Sequence, residues 1–362
     1  PRALNEVEQA KGLSLEDPQV RNRIVSEAFS SAIKSKPASL YNSKFASRVI
    51  LGNFDDNMKD IAGMDWVIEV VVENLEIKKQ VFENVEKYRT AGTLITSNTS
   101  GIPIHLMLDG RSDDFKKYFC GTHFFNPPRY LQLLEIIPTP QTDQGIVDFL
   151  MHYGDRFLGK TTVLCKDTPA FIANRVGIYA ILKVVEAMEK HGLNIDQIDK
   201  LTGPVIGRPK SATFRTSDVV GLDTLIHVAN NLYEALTEDE ARETFNLPGA
   251  IHKLKENNWL GDKTGQGFYK KTKDEKGKTK ILTLDLESLE YKPKQKVKFA
   301  TLELTKPIDR VKDRFKVLLG GKDVAGAFYR DAFYGLFQYV SNRIPEITDE
   351  LYKICLLYTS DA

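Results

Sequence analysis

Two residues define the chemistry this chain is equipped to do. His123 follows a short hydrophobic run, and twelve residues later Glu135 stands where an apolar strand residue is expected. Leu131, Leu133, Glu135 and Ile137 fall on one face of a period-two pattern, so the carboxylate is placed among apolar neighbours. A buried carboxylate is costly unless something pairs with it. Adjacent strands would let Glu135 fix one imidazole nitrogen of His123 and leave the other as a proton acceptor, the arrangement of a general base. A histidine at a strand end is as often structural as catalytic. Zinc is the other use of such a pair, but it needs about four ligands, and no cysteine or histidine cluster completes a site here. The expectation is no metal.

Other polar residues gain interest from where they fall. Asn98 and Ser100 sit in a loop after a short apolar run, where turn-forming residues are expected in any case. Glu69 and Glu73 flank the carboxyl end of a buried strand, although a helix start also accounts for Glu73. Asn174 lies on a helical stripe with Ile178, Ile181, Val185 and Met188. An amide on that stripe needs a partner, either another element or a ligand carbonyl.

The elements that must position these residues alternate between strand and helix. Residues 20–35 are helix-like. Asp65 to Val72 is β-branched and nearly continuous, which reads as a buried parallel strand. A helix face follows over Glu73 to Tyr88, then a strand over 93–97. Further strands at 119–125, 131–137 and 161–165 flank a helix at about 143–158. This is the doubly wound pattern, in which ligands bind beyond the carboxyl ends of strands, and the 98–101 loop sits at such an end. Thr168-Pro169 then starts a strongly helical region, Phe171 to Lys190, proline being tolerated in a first turn. Helices resume over 218–236, a glycine-marked turn falls at 261–269, residues 271–301 read as a lysine-rich linker or hairpin, and helices return from about 314 to 355.

The chain has 362 residues, 42% of them hydrophobic, enough for two or more compact domains. Its 50 basic and 49 acidic residues give a net charge of +1, which does not favour a nucleic-acid partner. No window reaches the ~18 apolar residues of a membrane span. Three cysteines without paired spacing and the lack of a signal peptide point to a reduced, cytoplasmic setting.

Five segments occur in order: Val-Ile-Glu-Val-Val-Val-Glu-Asn-Leu (67–75), Ser-Asn-Thr-Ser (97–100), His-Phe-Phe-Asn-Pro (123–127), Asp-Thr-Pro-Ala-Phe-Ile-Ala-Asn-Arg (167–175) and Gly-Gln-Gly-Phe-Tyr (265–269). Together they resemble the 3-hydroxyacyl-CoA dehydrogenase family, above all the large bacterial β-oxidation proteins in which this unit is fused to an enoyl-CoA hydratase-like domain. The resemblance implies NAD-dependent oxidation of an L-3-hydroxyacyl-CoA thioester to the 3-ketoacyl-CoA. It implies His123 as general base and Glu135 as the group that supports the imidazolium. Ser100 and Asn174 would orient the substrate oxygen and the histidine, with Asn126 also on the substrate side. Glu73, Lys78 and Asn98 would line the cofactor side. The fold implied is an α/β Rossmann-like domain over 1–165 and an all-α, 6-phosphogluconate-dehydrogenase-like domain over 166–270. A linker or hairpin over 271–303 and a second helical segment over 304–362 would follow. A homodimer, or association with the hydratase-like domain, is the partner expected.

The chain departs from that pattern at both ends. It has no Gly-x-Gly-x-x-Gly turn and no acidic ribose clamp ahead of residue 65, and residues 1–13 resemble the stretch just after the family's second strand. The expectation is therefore an N-terminally truncated dinucleotide domain lacking its first βαβ elements and binding NAD poorly. The tail from Tyr352 to Ala362 does not match the family and reads as translation from a misread frame. Alternatives to the dehydrogenase are a catalytically incompetent CoA-thioester-binding or scaffold fragment, and a short-chain 3-hydroxybutyryl-CoA dehydrogenase.

Overall fold

The computed structural model describes residues 3–360, by backbone alone from 357 onward. Pro1, Arg2, Asp361 and Ala362, which belong to the two departing ends, lie outside the described residues. The chain divides into two compact units, one running to Leu164 and the other from Cys165 to Ser360.

The first unit is a five-stranded sheet in the order β1 (Trp66–Glu69), β2 (Leu94–Ser97), β3 (Phe119–Phe124), β4 (Leu133–Pro138), β5 (Thr161–Leu164). Its helices of ten residues or more are α1 (Arg23–Lys34), α2 (Leu75–Tyr88) and α3 (Gln144–Arg156). Alternation along β3 sends Cys120 to one face, where it clusters with Leu94, Leu134, Ile136 and Leu150 of α3. Phe119 points to the other face and packs edge-on against Phe82 of α2, with ring centroids 5.1 Å apart. Both faces are thus covered by helices, which is why these strands read as apolar runs.

Two details differ from the sequence reading. The sheet is parallel except for β3 and β4, which pair antiparallel. The 125–132 loop between them is shorter than the dozen or so residues a parallel crossover needs. The strand expected over 65–72 stops at Glu69, because the Glu69 carboxylate accepts the Val71 N–H at 2.5 Å and turns the chain, leaving Val70 and Val72 exposed.

In the second unit, the first helices are α4 (Ala173–Lys190), α5 (Ile195–Leu201), α6 (Phe214–Val220) and α7 (Leu222–Ala235). The lysine-rich stretch then folds as β6 (Tyr269–Lys273), β7 (Thr279–Leu284) and β8 (Tyr291–Pro293), a three-stranded antiparallel sheet. Four helices follow: α8 (Ala300–Thr305), α9 (Val311–Gly320), α10 (Val324–Asn342) and α11 (Leu351–Ser360). Tyr339 of α10 stacks on Tyr179 of α4 at 3.8 Å between centroids, so the late helices pack against the first long one. No helix among the described residues is long and apolar enough to cross a membrane.

Candidate functional site

The β3–β4 register places His123 directly opposite Glu135. Glu135 is fully buried and His123 is 4% exposed. Imidazole Nδ1 lies 2.7 Å from Glu135 Oε2. A carboxylate is an acceptor only, so the proton of that bond sits on Nδ1, and Nε2 is the nitrogen that can take a proton. The Phe125 ring lies 4.4 Å from the imidazole centroid and limits its movement. The pairing expected from the period-two pattern is therefore present, on two buried strands.

A second polar group is built where the parallel strands end. Glu69, the last residue of β1, is buried, and its carboxylate takes the Ser97 hydroxyl at 2.6 Å and the Lys78 ammonium at 2.9 Å. Lys78 is itself only 1% exposed. Its charge also reaches Glu73 at 3.5 Å. Glu73 then holds the following loop: its Oε1 accepts from the Thr99 hydroxyl at 2.7 Å, Ser100 N–H at 2.9 Å and Gly101 N–H at 3.0 Å. Burial works to raise the Glu73 pKa, but these donors and the Lys78 charge outweigh it and keep the carboxyl below its ordinary range. Asn98 ties the same loop to β3, its side-chain oxygen accepting from Phe124 N–H at 2.9 Å. His123 is the residue just before that N–H. One network thus fixes the Ser100 loop against the strand that carries the histidine.

The remaining candidates are placed differently. Asn126 is exposed in the β3–β4 loop, with no side-chain hydrogen bond among the described residues. Asn174 is half-buried in the first turn of α4 and belongs to the second unit. The backbone just before it is strained, since Ala170 and Phe171 have φ of 59° and 52°, uncommon for residues with a Cβ. Thr99 and Ser97 are functional residues that the sequence does not single out. Their role depends on which carboxylates the fold brings to them, Glu73 and Glu69, more than twenty-five residues away in sequence.

A dinucleotide at this edge would meet groups that fit it. Glu73 keeps a partly exposed carboxylate for a hydroxyl donor. The NH2 half of the Asn98 amide has no partner among the described residues and suits a carbonyl acceptor.

A family model described as "3-hydroxyacyl-CoA dehydrogenase, NAD binding domain" matches residues 16–168, and one described as the family's C-terminal domain matches residues 171–271. A probable 3-hydroxyacyl-CoA dehydrogenase of Bacillus subtilis is 45% identical over 354 residues, covering 98% of this chain and 44% of the relative. One of Deinococcus radiodurans is 43% identical over 269 residues, covering 74% of this chain and 77% of the relative. Among solved structures, FadB2 of Mycobacterium tuberculosis is similar with a TM-score of 0.59 and 28% identity, over 69% of this chain and 85% of that one. The chain thus spans less than half of the Bacillus relative.

These matches correct the expectation of an N-terminally truncated Rossmann-like domain lacking its first βαβ elements. The NAD-binding domain is recognised from residue 16, well ahead of β1, and takes in α1 and the short helical turns that follow it. That expectation rests on the absence of the Gly-x-Gly-x-x-Gly turn and the acidic ribose clamp and on the likeness of residues 1–13 to a later stretch, and the family model matches residues 16–168 without them. With NAD as its cofactor class, the chain belongs to the 3-hydroxyacyl-CoA dehydrogenase family.

Proposed function

We propose that this chain carries out the NAD-dependent oxidation of L-3-hydroxyacyl-CoA thioesters to 3-ketoacyl-CoA in fatty-acid β-oxidation. The observation that carries the reading is the buried His123–Glu135 pair at 2.7 Å, standing beside a loop that Glu73 and Asn98 hold in place. NAD supplies the hydride acceptor. His123 takes the hydroxyl proton at Nε2 as the C3–H bond breaks, and Glu135 balances the imidazolium that forms. The Ser100 hydroxyl and the Asn174 amide are assigned to orienting the substrate oxygen and the imidazole. Glu73 and Asn98 serve the cofactor side directly, while the buried Lys78 serves it by fixing Glu73. Asn126, exposed on the loop after the histidine, is assigned to the thioester. A cytoplasmic setting is proposed from the unpatterned cysteines alone.

The test is NADH-dependent reduction of acetoacetyl-CoA and of a longer 3-ketoacyl-CoA by the whole chain. His123→Gln is expected to leave folded protein whose turnover falls at least about a hundredfold. Undiminished turnover in that variant removes the assignment. The ratio of rates on the two thioesters separates a short-chain from a long-chain enzyme.

A further inference from the structure

The second unit holds a cavity of about 930 Å³ bounded by α5, β6, β7, α8, α9 and the segment after β8. Lys200, Lys210, Lys294, Lys296 and Lys298 surround it, all exposed, and none has a carboxylate within ion-pair distance among the described residues. The acids around the same cavity are already engaged. Asp199 accepts Thr213, Phe214 and Arg215 N–H and the Tyr269 hydroxyl. Asp196 accepts the Thr283 hydroxyl and Gln295 N–H. Glu303 is paired with Lys306, and the charges of Lys298 and Lys200 act on it from further away. What remains is a set of five ammonium groups around one concavity, in a chain whose overall charge is only +1. Such groups repel one another, and a multiply charged anion relieves that repulsion. The lining also includes Ile281, Val297, Leu302 and Tyr269, an apolar patch beside the charges, with the Lys294 ammonium 5.8 Å from the Tyr269 ring.

From this combination we propose that the groove is a binding site for a nucleotide-sized organic polyphosphate, with lysines on the phosphates and the apolar patch against the base. The volume suits one such ligand. The cations ring a concavity instead of spreading over a face, which favours a small ligand over a nucleic-acid strand or a membrane. The site is separate from the dehydrogenase residues of this unit. Asn174 is in the first turn of α4, whose 18 residues span about 27 Å, and α5 begins only beyond its far end.

The experiment titrates the whole chain, with NADH saturating, against a fluorescent ATP analogue at low salt, followed by anisotropy. Unlabelled ATP and inorganic triphosphate serve as competitors. The paired substitution Lys294→Glu with Lys298→Glu changes exposed side chains only, and circular dichroism checks its fold. Expected are saturable binding, displacement by both competitors, and at least about tenfold weaker binding in the folded variant. Three results each overturn the proposal: no binding, binding indifferent to the two substitutions, or preference for an oligonucleotide or anionic vesicles over ATP.

Discussion

At Glu135 the side chain's charge and its hydrogen-bonding capacity make separable contributions. Glutamine keeps an acceptor for the Nδ1 proton but removes the negative charge that balances an imidazolium. Glu135→Gln should therefore lower kcat by about a hundredfold with little change in KM, because the lost interaction is strongest when the histidine is charged. A rise in KM at constant kcat would instead assign Glu135 to ground-state binding. Glu73 invites the opposite comparison. Its Oε1 holds three donors of the 99–101 loop, and a glutamine oxygen can still accept them. Glu73→Ala should cost about ten- to a hundredfold in kcat/KM by releasing the loop, and Glu73→Gln should recover most of it. Equal losses in both variants would place the requirement on the charge itself. The His123–Glu135 pair was legible in the sequence because period two puts both residues on one face of adjacent strands. The Glu73 role was not, since nothing local says which backbone N–H groups a carboxylate will meet.

At the scale of elements, the Gly-Gln-Gly-Phe-Tyr turn has a structural explanation. Asp218 of α6 is buried and accepts Phe268 and Tyr269 N–H, both at 2.8 Å. To allow this, the turn passes so close that a Cβ on Gly267 would lie 2.1 Å from Asp218 Oδ1. Gly261 is in the left-handed region, with φ of 98°, and a Cβ there would lie 2.3 Å from the Asp218 carbonyl oxygen. Gly267→Ala should destabilise the second unit by about 2 kcal/mol or more, as overpacking does, and a wild-type melting temperature would refute that. The sequence marks the turn by its glycines but not its partner, which lies some fifty residues earlier. Burial also pushes the Asp218 pKa up to about 6, against the two N–H groups that lower it. A folded-state value above the unfolded one means the native state holds the extra proton, so this group's contribution is full below about pH 4 and is lost as pH rises through 6. The loss is about 3 kcal/mol. Asp218→Asn removes that titration. Denaturant unfolding should show wild type losing stability relative to the variant between these two pH values, and a constant difference would exclude it.

Across the whole molecule, the least legible feature is what joins the late helices to the early ones. Arg175 follows the functional candidate Asn174, and nothing in the sequence singles it out beyond its place at the end of the 167–175 segment. In the fold it is fully buried, bonded to Asp239 at 2.8 Å, to the Tyr339 hydroxyl at 3.0 Å and to Glu346. Arg343 adds a second guanidinium 3.0 Å from the same Asp239 oxygen. Charge pairing over such sequence distances leaves no period and no motif, so composition and patterning gave the helices but not their attachment. Asp239 is thus the shared anion of two arginines. Burial would raise its pKa, yet Arg175, the Ala241 N–H, Tyr339 and Arg343 together lower it below the ordinary carboxylate value. Removing its charge leaves the more exposed Glu346, which bridges both guanidiniums, and Glu240 on Arg343 as their remaining anions, and costs about 3 kcal/mol, the low end for a broken buried pair. Asp239→Asn should therefore weaken the second unit at neutral pH by that amount, and loosen residues 324–347 together with α4. The sign with pH follows from the lowered pKa: the stabilisation is present above the unfolded value and is lost as acid protonates the carboxyl. Wild type and variant should then converge in stability as pH falls through the Asp239 titration. A gap that stays constant from neutral into acid would mean that the carboxylate's charge is not what fastens these helices.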